Sequence, residues 1–223
     1  MGTQQKTPLR ITILIDNPNS WIIPFAKELQ QQLGTRGYEV SFVHEKEEVP
    51  EGDILFLLSC DRIVPQSILA RNMHNIVVHP SDLPKGQGFS PLTWLILEGA
   101  NDIPITLFEA VENVDAGPFY FKDIMHFEGH ELNEELKLRQ GEKTIELVLK
   151  FVDAYPNIMP QKQEGEATWY RRRTSKDSEL DVTKSIGEQF ELLRVVDNER
   201  YPAFFLYRGH RYVLRIVKSD SES

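Results

Sequence analysis

The first half of the chain alternates between short apolar runs and longer segments with helical spacing. The apolar runs have the length and composition of buried strands, and they cover residues 10–15, 38–43, 53–58 and 75–79. Apolar residues recur at helical spacing over residues 21–33, a short helix is expected to begin at Pro65, and Pro91 is suited to open a helix that ends at Gly99. This order of elements predicts an α/β domain built on an open, mostly parallel sheet.

The second half of the chain predicts two more strands, a long helix and a change of composition. Strands are expected at residues 103–110 and 119–127, and a helix at residues 133–155. A polar stretch follows, after which the pattern predicts a helix over 181–196 and a β-hairpin over 203–217. We therefore predict a domain of residues 1–159, a small C-terminal α+β appendage of residues 160–218 that ends in the β-hairpin, and a disordered tail of residues 219–223.

Composition and charge narrow the function classes. The chain has 223 residues, of which 40% are hydrophobic and 26% are charged, as expected for a soluble globular protein. No apolar run reaches the ~18 residues of a membrane span, and the N-terminal residues lack an apolar signal region, so we expect a cytoplasmic protein with no membrane partner. The net charge of −9 argues against a nucleic-acid partner, because such proteins normally carry a basic surface. The single cysteine, Cys60, excludes an internal disulfide and a thiolate-rich zinc site.

The most informative stretch runs from Asn75 to Pro91. A buried strand ends on His79, and two prolines and two glycines keep the following loop from forming a helix. Ligands bind at this C-terminal end of the strands in open α/β sheets. Asp115 stands in the tight turn Asp-Ala-Gly-Pro, and a carboxylate beside a histidine fixes the tautomer of the imidazole. Such a pair can polarise a carbonyl and move a proton, although a core histidine and an ordinary turn aspartate would give the same local patterns.

These residues also resemble a known family in their order and spacing. The sequence His79-Pro-Ser-Asp-Leu-Pro84, then Gly88 and Pro91, then Asp115-Ala-Gly-Pro118, is similar to the formyltetrahydrofolate-dependent formyltransferases. The resemblance covers roughly residues 50–120. Weaker similarity to the segment that follows the catalytic domain in the sugar and tRNA branches is found at residues 164–168, 172–174, 177–181 and 194–204. The block that begins at Asn75 most resembles the nucleotide-linked amino-sugar N-formyltransferases of the pseudaminic-acid type.

The resemblance implies a Rossmann-like formyltransferase fold and direct acyl transfer without a metal. The expected cosubstrate is 10-formyltetrahydrofolate, the expected acceptor is the 4-amino group of a UDP-linked 4-amino-4,6-dideoxy sugar, and the expected assembly is a homodimer formed through the appendage. His79 would donate a hydrogen bond to the formyl oxygen, while Asp115 would orient His79 and help to remove the amine proton. The alternatives are a methionyl-tRNA formyltransferase, a non-catalytic protein that binds folate or a nucleotide sugar, and a hydrolase that releases formate from the folate.

The resemblance also places binding residues at the ends of the strands. Residues expected near the folate are Leu58, Cys60, Arg62, Val64, Val111 and Val114. Residues expected near the nucleotide sugar are Asn17, Ser20 and Trp21 in the first strand-to-helix turn, with Lys85 meeting a phosphate or a folate glutamate. The run Arg171–Arg173 could bind a diphosphate or RNA, and it could equally be a solvated charged face.

One position departs from the family pattern. Two residues before the histidine the family usually has an asparagine whose amide helps to bind the developing oxyanion, and here that position is Val77. Asn75 lies on the same strand face but, at ~3.3 Å per residue, about 13 Å from His79, too far to replace the missing amide. The candidate donors are Ser81, Ser90, Asn113 and a backbone N–H, and the sequence does not choose among them.

Overall fold

The computed structural model describes residues 8–219, and its core is a six-stranded sheet covered by helices. The helices and strands are β1 Arg10–Leu14, α1 Ile23–Thr35, β2 Glu39–Val43, β3 Gly52–Leu57, α2 Gln66–Leu69, β4 Asn72–His79, β5 Gln87–Gly88, α3 Pro91–Leu97, β6 Asp102–Glu109, β7 Phe119–His126, α4 Asn133–Ala154, β8 Trp169–Tyr170, α5 Phe190–Val195, β9 Ala203–Tyr207 and β10 His210–Leu214. Within the described residues, no helix is long and apolar enough to cross a membrane.

The strand order of the large sheet is β2-β1-β3-β4-β6-β7. Strands β1, β2, β3 and β4 run parallel to one another, whereas β6 runs antiparallel to β4 and β7 runs antiparallel to β6. The open, mostly parallel α/β sheet expected from the sequence is therefore confirmed. The two antiparallel strands lie together at one edge, next to the strand that ends on His79.

The sheet buries a different apolar cluster on each face. The larger cluster contains Ile13, Phe56 and Ile76 and packs against α1 and α4. The smaller cluster, which defines what we call the α2 face, consists of Leu14, Val49, Leu55, Leu57, Ile68 and Leu69. Because successive side chains of a strand point to opposite faces, Val77 and His79 of β4 belong to the α2 face. The α2 face is therefore the side of the sheet on which the candidate site forms.

A glycine in the long helix α4 permits its close contact with α1. Gly141 lies inside α4, where glycine is less favourable than most residues, and its role is in packing. A methyl group at Gly141 would lie 2.6 Å from the ring of Phe25. The helices therefore pack at a separation that no larger residue allows at this position.

The appendage differs from the prediction in its helix and agrees with it in its hairpin. The predicted hairpin is present as β9 and β10, and it ends at Leu214. The helix expected over 181–196 is restricted to α5 and one 3₁₀ turn before it. Asp181 accepts hydrogen bonds from the backbone and hydroxyl of Thr183, and such local side-chain bonds compete with helix formation. Except for Ser219, the tail predicted to be disordered lies outside the described residues.

The appendage is attached to the main sheet by a buried arginine and by a short strand pair. Arg194 on α5 is completely buried and donates hydrogen bonds to the Asn101 side chain at 2.9 Å and to the backbone oxygen of Glu131 at 3.1 Å. Strand β8 pairs in parallel with β5, a contact that the sequence analysis did not predict. The boundary at residue 160 stays a prediction, and the residues that follow it lie against the main domain.

Candidate active site

His79 is the last residue of β4, and its ring is held by the loop that follows the strand. The side chain is almost buried, and Nε2 lies 2.9 Å from the backbone oxygen of Gly86. Because a carbonyl oxygen only accepts hydrogen bonds, Nε2 carries the hydrogen and donates it. The loop is itself closed by a hydrogen bond from the Ser81 N–H to the His79 oxygen at 2.8 Å. The sequence of the loop thus fixes the tautomer and the direction of the imidazole.

Asp115 reaches the histidine from the segment between β6 and β7. Its backbone has a φ of 56°, in the left-handed region that aspartate tolerates better than most residues. Its Oδ2 accepts a hydrogen bond from the Gly88 N–H at 2.8 Å. Gly117 makes the turn possible, since a Cβ there would lie 1.7 Å from the oxygen of Glu109. The Asp-Ala-Gly-Pro turn therefore places a carboxylate where the loop after β4 can bind it.

The two predicted catalytic residues lie together, at a distance longer than a hydrogen bond. Asp115 Oδ2 is 3.9 Å from His79 Nε2, and both side chains are mostly buried. The ring is oriented by the Gly86 carbonyl, so Asp115 acts on it through charge rather than through a direct hydrogen bond. A carboxylate at this distance still stabilises a positive charge on the imidazole. The arrangement can polarise a carbonyl group and accept or deliver a proton.

The structure distinguishes among the groups proposed to replace the missing asparagine. Asn75 donates through Nδ2 to the oxygen of Leu69 at 3.1 Å, so its amide serves the packing of the α2 face and not the site. Val77 packs against the apolar cluster of that face. Asn113 is exposed, whereas Ser81 is buried and its hydroxyl has no partner among the described residues. Ser81 is thus the candidate with an unused donor beside His79.

Two of the six predicted folate residues, Cys60 and Val64, lie on the α2 face. Cys60 and Val64 pack at the edge of its cluster together with Val77, while Val111 and Val114 are exposed to 39% and 38% on the segment that carries Asp115. Burial raises the pKa of the Cys60 thiol to about 12, so this side chain acts as a small neutral group. Cys60 and Val64 thus form an apolar wall with Val77, which lies two residues before His79 on β4.

Two of the predicted folate residues do not contribute a side chain to that wall. Leu58 is 2% exposed and packs in the larger cluster on the opposite face, because it is one residue out of phase with Leu57. The Leu58 side chain therefore does not reach the α2 face, and a contact of the folate with this end of β3 stays a prediction. Arg62 is exposed, and its backbone N–H donates to Asp16 at 2.7 Å.

The residues predicted to bind the sugar nucleotide are only partly brought together. Asn17 donates to the Asp61 side chain at 3.4 Å, and the hydroxyl of Ser20 lies 3.4 Å from that of Ser59. These contacts join the loops after β1 and β3 at the same end of the sheet. Trp21 instead packs edge-on against Phe25 in the larger cluster, so its ring is largely a core residue.

The two basic candidates have different surroundings. Lys85 is exposed in the loop after β4. The run Arg171–Arg173 is engaged within the protein: Arg171 pairs with Asp177, Arg172 donates to the oxygen of Asp61 at 3.0 Å, and Arg173 donates to the oxygen of Asp177 at 3.0 Å. Burial lowers the pKa of the Arg173 guanidinium. The run is therefore a structural element rather than an open basic patch.

Two residues at the site were missed by sequence reasoning. Gln163 donates through Nε2 to the backbone oxygens of Asp115 and Gly117, at 2.9 and 2.6 Å. Thr168 accepts a hydrogen bond from the Gly86 N–H at 2.8 Å. Both bind backbone groups, which carry no side-chain signature, and the only available signal was that Thr168 belongs to a segment similar to the family. In the part of the chain that the structure describes, no cluster of three or more metal-ligating side chains is found.

The amino-acid sequence matches a known family and several known proteins. A family model described as "Formyl transferase" matches residues 23–152. The chain is 29% identical over 126 residues to a methionyl-tRNA formyltransferase from Rickettsia massiliae, covering 56% of this chain and 42% of that protein. The chain therefore spans less than half the length of that relative.

Three solved structures share the fold. A methionyl-tRNA formyltransferase from Clostridium thermocellum matches with a TM-score of 0.81 at 24% identity, covering 96% of this chain and 95% of that one. A 4-N formyltransferase from Francisella tularensis matches with a TM-score of 0.73 at 16% identity, covering 96% and 99%. HypX from Aquifex aeolicus in complex with tetrahydrofolic acid matches with a TM-score of 0.76 at 21% identity, covering 93% of this chain and 37% of that one. At these identities the likeness establishes the fold.

Proposed function

Because the chain belongs to the formyl transferase family, we propose that it moves the formyl group of 10-formyltetrahydrofolate to the 4-amino group of a UDP-linked 4-amino-4,6-dideoxy sugar. The observation that carries the proposal is the His79–Asp115 pair, held 3.9 Å apart by hydrogen bonds from one loop. An imidazole N–H and a carboxylate are the two groups that transfer of an acyl group to an amine requires.

The proposed reaction is a direct transfer between two bound substrates. The neutral sugar amine attacks the formyl carbon, so a new N–C bond forms and the bond from that carbon to N10 of the folate breaks. Asp115 accepts the proton that the amine loses and passes it to N10, which balances the reaction. The Nε2–H of His79, which donates to the Gly86 oxygen in the structure, exchanges that acceptor for the formyl oxygen as negative charge develops there. No charged atom of the pair has to move far, because both are already placed by the loop.

We place the flat folate ring against the apolar edge of the α2 face, beside the pair. Its wall is formed by Cys60, Val64, Val77 and Ala110, which pack at the edge of the buried cluster. The high pKa of Cys60 keeps this wall uncharged at neutral pH. Ligand sites for aromatic rings are commonly lined in this way, with a few polar groups that set orientation.

Charge favours a small acceptor over a tRNA. The chain carries a net charge of −9, and the run Arg171–Arg173 is engaged in bonds to Asp177 and Asp61 within the protein. A tRNA needs many phosphate contacts, whereas a diphosphate needs a few donors. The names of several relatives favour methionyl-tRNA as the second candidate acceptor. The match to a 4-N formyltransferase supports the sugar.

The test is an acceptor panel with matched controls. Purified protein is incubated with 10-formyltetrahydrofolate and the UDP-linked 4-amino sugar, the same sugar with its amine acetylated, or methionyl-tRNA, and folate turnover is followed. We expect turnover only with the free amine, and a rate that changes by less than about threefold between 50 and 200 mM salt. Formylation of methionyl-tRNA without turnover of the sugar would identify the second candidate. Folate turnover that is independent of any acceptor would identify a hydrolase.

A further inference from the structure

One segment of the appendage runs alongside the loops that form the candidate site. We call residues 161–172 the strap. At its start, Gln161 exchanges two backbone hydrogen bonds with Phe119, at 2.7 and 2.8 Å. Further along it pairs as β8 with β5, and at its end Arg172 donates to the oxygen of Asp61. The strap therefore contacts the segments that carry both members of the catalytic pair.

Gln163 on the strap holds the turn that carries Asp115. Its Nε2 donates to the oxygens of Asp115 and Gly117, and its Oε1 is buried with no partner among the described residues. Because the Gln163 amide donates to two oxygens of the same turn, it fixes the position of that turn. The turn needs such support, because Asp115 has a left-handed backbone that costs of order 1 kcal/mol for a residue with a Cβ.

Thr168 on the strap holds the carbonyl that orients His79. Its Oγ1 accepts the N–H of Gly86 at 2.8 Å, and the carbonyl of the same residue accepts the hydrogen of His79 Nε2 at 2.9 Å. Gly86 has a φ of +72°, and a Cβ there would lie 2.9 Å from the side chain of Ser81. The loop thus has little freedom to place this carbonyl in another way while Thr168 holds the amide.

We propose that Gln163 and Thr168 are positioning residues for the transfer reaction, and that the appendage sets the geometry of the His79–Asp115 pair through them. This inference rests on the proposed function for its effect on rate. Gln163 acts on Asp115 and the Thr168 side chain acts on His79, in each case through backbone groups. The two side chains therefore make the reactivity of the main domain depend on the docking of the appendage.

Other contacts keep the strap attached when either side chain is changed. The indole N–H of Trp94 donates to the oxygen of Arg171 at 3.0 Å, and the Trp94 ring stacks on Tyr170. The hydroxyl of Tyr170 donates to Glu98 at 2.7 Å. A substitution at position 163 or 168 should therefore disturb the catalytic pair locally without releasing the strap.

The experiment compares substitutions of nearly equal shape. Thr168→Val keeps the branched shape and loses the acceptor, whereas Thr168→Ser keeps the acceptor. Gln163→Glu keeps the length and loses the donors, and Glu164→Gln changes an exposed strap residue as a control. We expect kcat to fall about tenfold or more in Thr168→Val and Gln163→Glu, with KM for the folate within about twofold, because small misplacements of reacting groups reduce rate strongly. Thr168→Ser and Glu164→Gln should stay near wild type.

A second readout does not depend on the substrates. The ring resonances of His79 are assigned by NMR with the His79→Gln variant and compared among the strap variants in the protein alone. We expect them to move in Thr168→Val and to return in Thr168→Ser. Wild-type kcat and unmoved resonances in Thr168→Val and Gln163→Glu would overturn the proposal, as would a rise in KM with kcat unchanged. If the wild-type protein transfers formyl to no acceptor, the proposed function fails, and the resonances alone decide whether the strap positions His79.

Discussion

His79 and Asp115 approach to 3.9 Å although the strands before them run in opposite directions. The strand β6 ends beside the middle of β4, four residues before His79, where the N–H of Ala110 donates to the oxygen of Asn75 at 2.6 Å. The segment that carries Asp115 must therefore fold back along the α2 face to reach the histidine. The turn that begins at Asp115 brings the carboxylate to His79, and the hydrogen bond from the Gly88 N–H to Asp115 holds it there.

The first prediction concerns the missing asparagine. Val77→Asn should leave kcat within about threefold of wild type, because Ser81 or a backbone N–H supplies the donor at the site. The same change should cost on the order of 1–3 kcal/mol of folding free energy, since it buries an amide against the apolar α2 face. Both are measured on the purified variant by turnover and by urea unfolding. A tenfold gain in kcat would contradict this account and would show that the site lacks a donor.

The second prediction concerns the attachment of the appendage. Arg194→Met should lower the free energy of unfolding by about 3–5 kcal/mol, because it leaves Glu131 and Asn101 without their buried partner. Urea unfolding gives the value. The control is Arg139→Met, which removes an exposed ion pair to Glu142 and should cost less than about 1 kcal/mol. Equal losses in the two variants would mean that burial of Arg194 contributes nothing.

The third prediction concerns acid stability. The hydrogen bond from Arg171, with those from Thr174, holds the pKa of the Asp177 carboxyl well below its usual range. Because the pKa is lower in the folded than in the unfolded protein, the stabilisation is complete above the unfolded pKa of about 3.9 and is lost as the pH falls below it. Asp177→Asn should therefore destabilise the protein more at pH 7 than at pH 3. Urea unfolding at the two pH values measures this, and equal destabilisation would contradict it.

The fourth prediction concerns assembly. We propose that the hairpin pairs with the hairpin of a second copy, because β10 has only β9 as a partner among the described strands and its open edge adjoins exposed apolar side chains. Leu206 and Val213 are exposed to 53% and 56%. Sedimentation equilibrium at micromolar concentration should give a dimer. Leu206→Glu should give a monomer, and Met159→Glu, at an exposed apolar residue outside the hairpin, should not. A monomeric wild-type protein would refute the proposal.

The sequence was sufficient for the elements whose signals are local. His79 could be placed because it ends an apolar run, and Asp115 because its turn contains the glycine and proline that the backbone requires. The direction of β6 could not be predicted, because a strand with alternating faces has the same pattern whether it is parallel or antiparallel.

The strap shows a different limit of sequence reasoning. Gln163 and Thr168 bind backbone oxygens and amides of residues far away in the chain, and those partners have no sequence preference. Strands β5 and β8 have only two residues each, too few to show the alternation of apolar and polar residues that indicates a strand. Leu58 lies in the larger cluster and Leu57 on the α2 face, so a position at the end of a strand does not by itself tell which side chain faces the site.

The most direct test of the whole account is a single-turnover measurement of formyl transfer to the amino sugar with His79→Gln and Asp115→Asn. Both substitutions preserve side-chain size, and circular dichroism with urea unfolding checks that the variants fold. We expect each variant to lose a factor of about 10²–10⁴ in rate, the usual effect of removing acid–base function, with binding of the folate retained. Wild-type rates in both folded variants would contradict the claim that this pair carries the reaction.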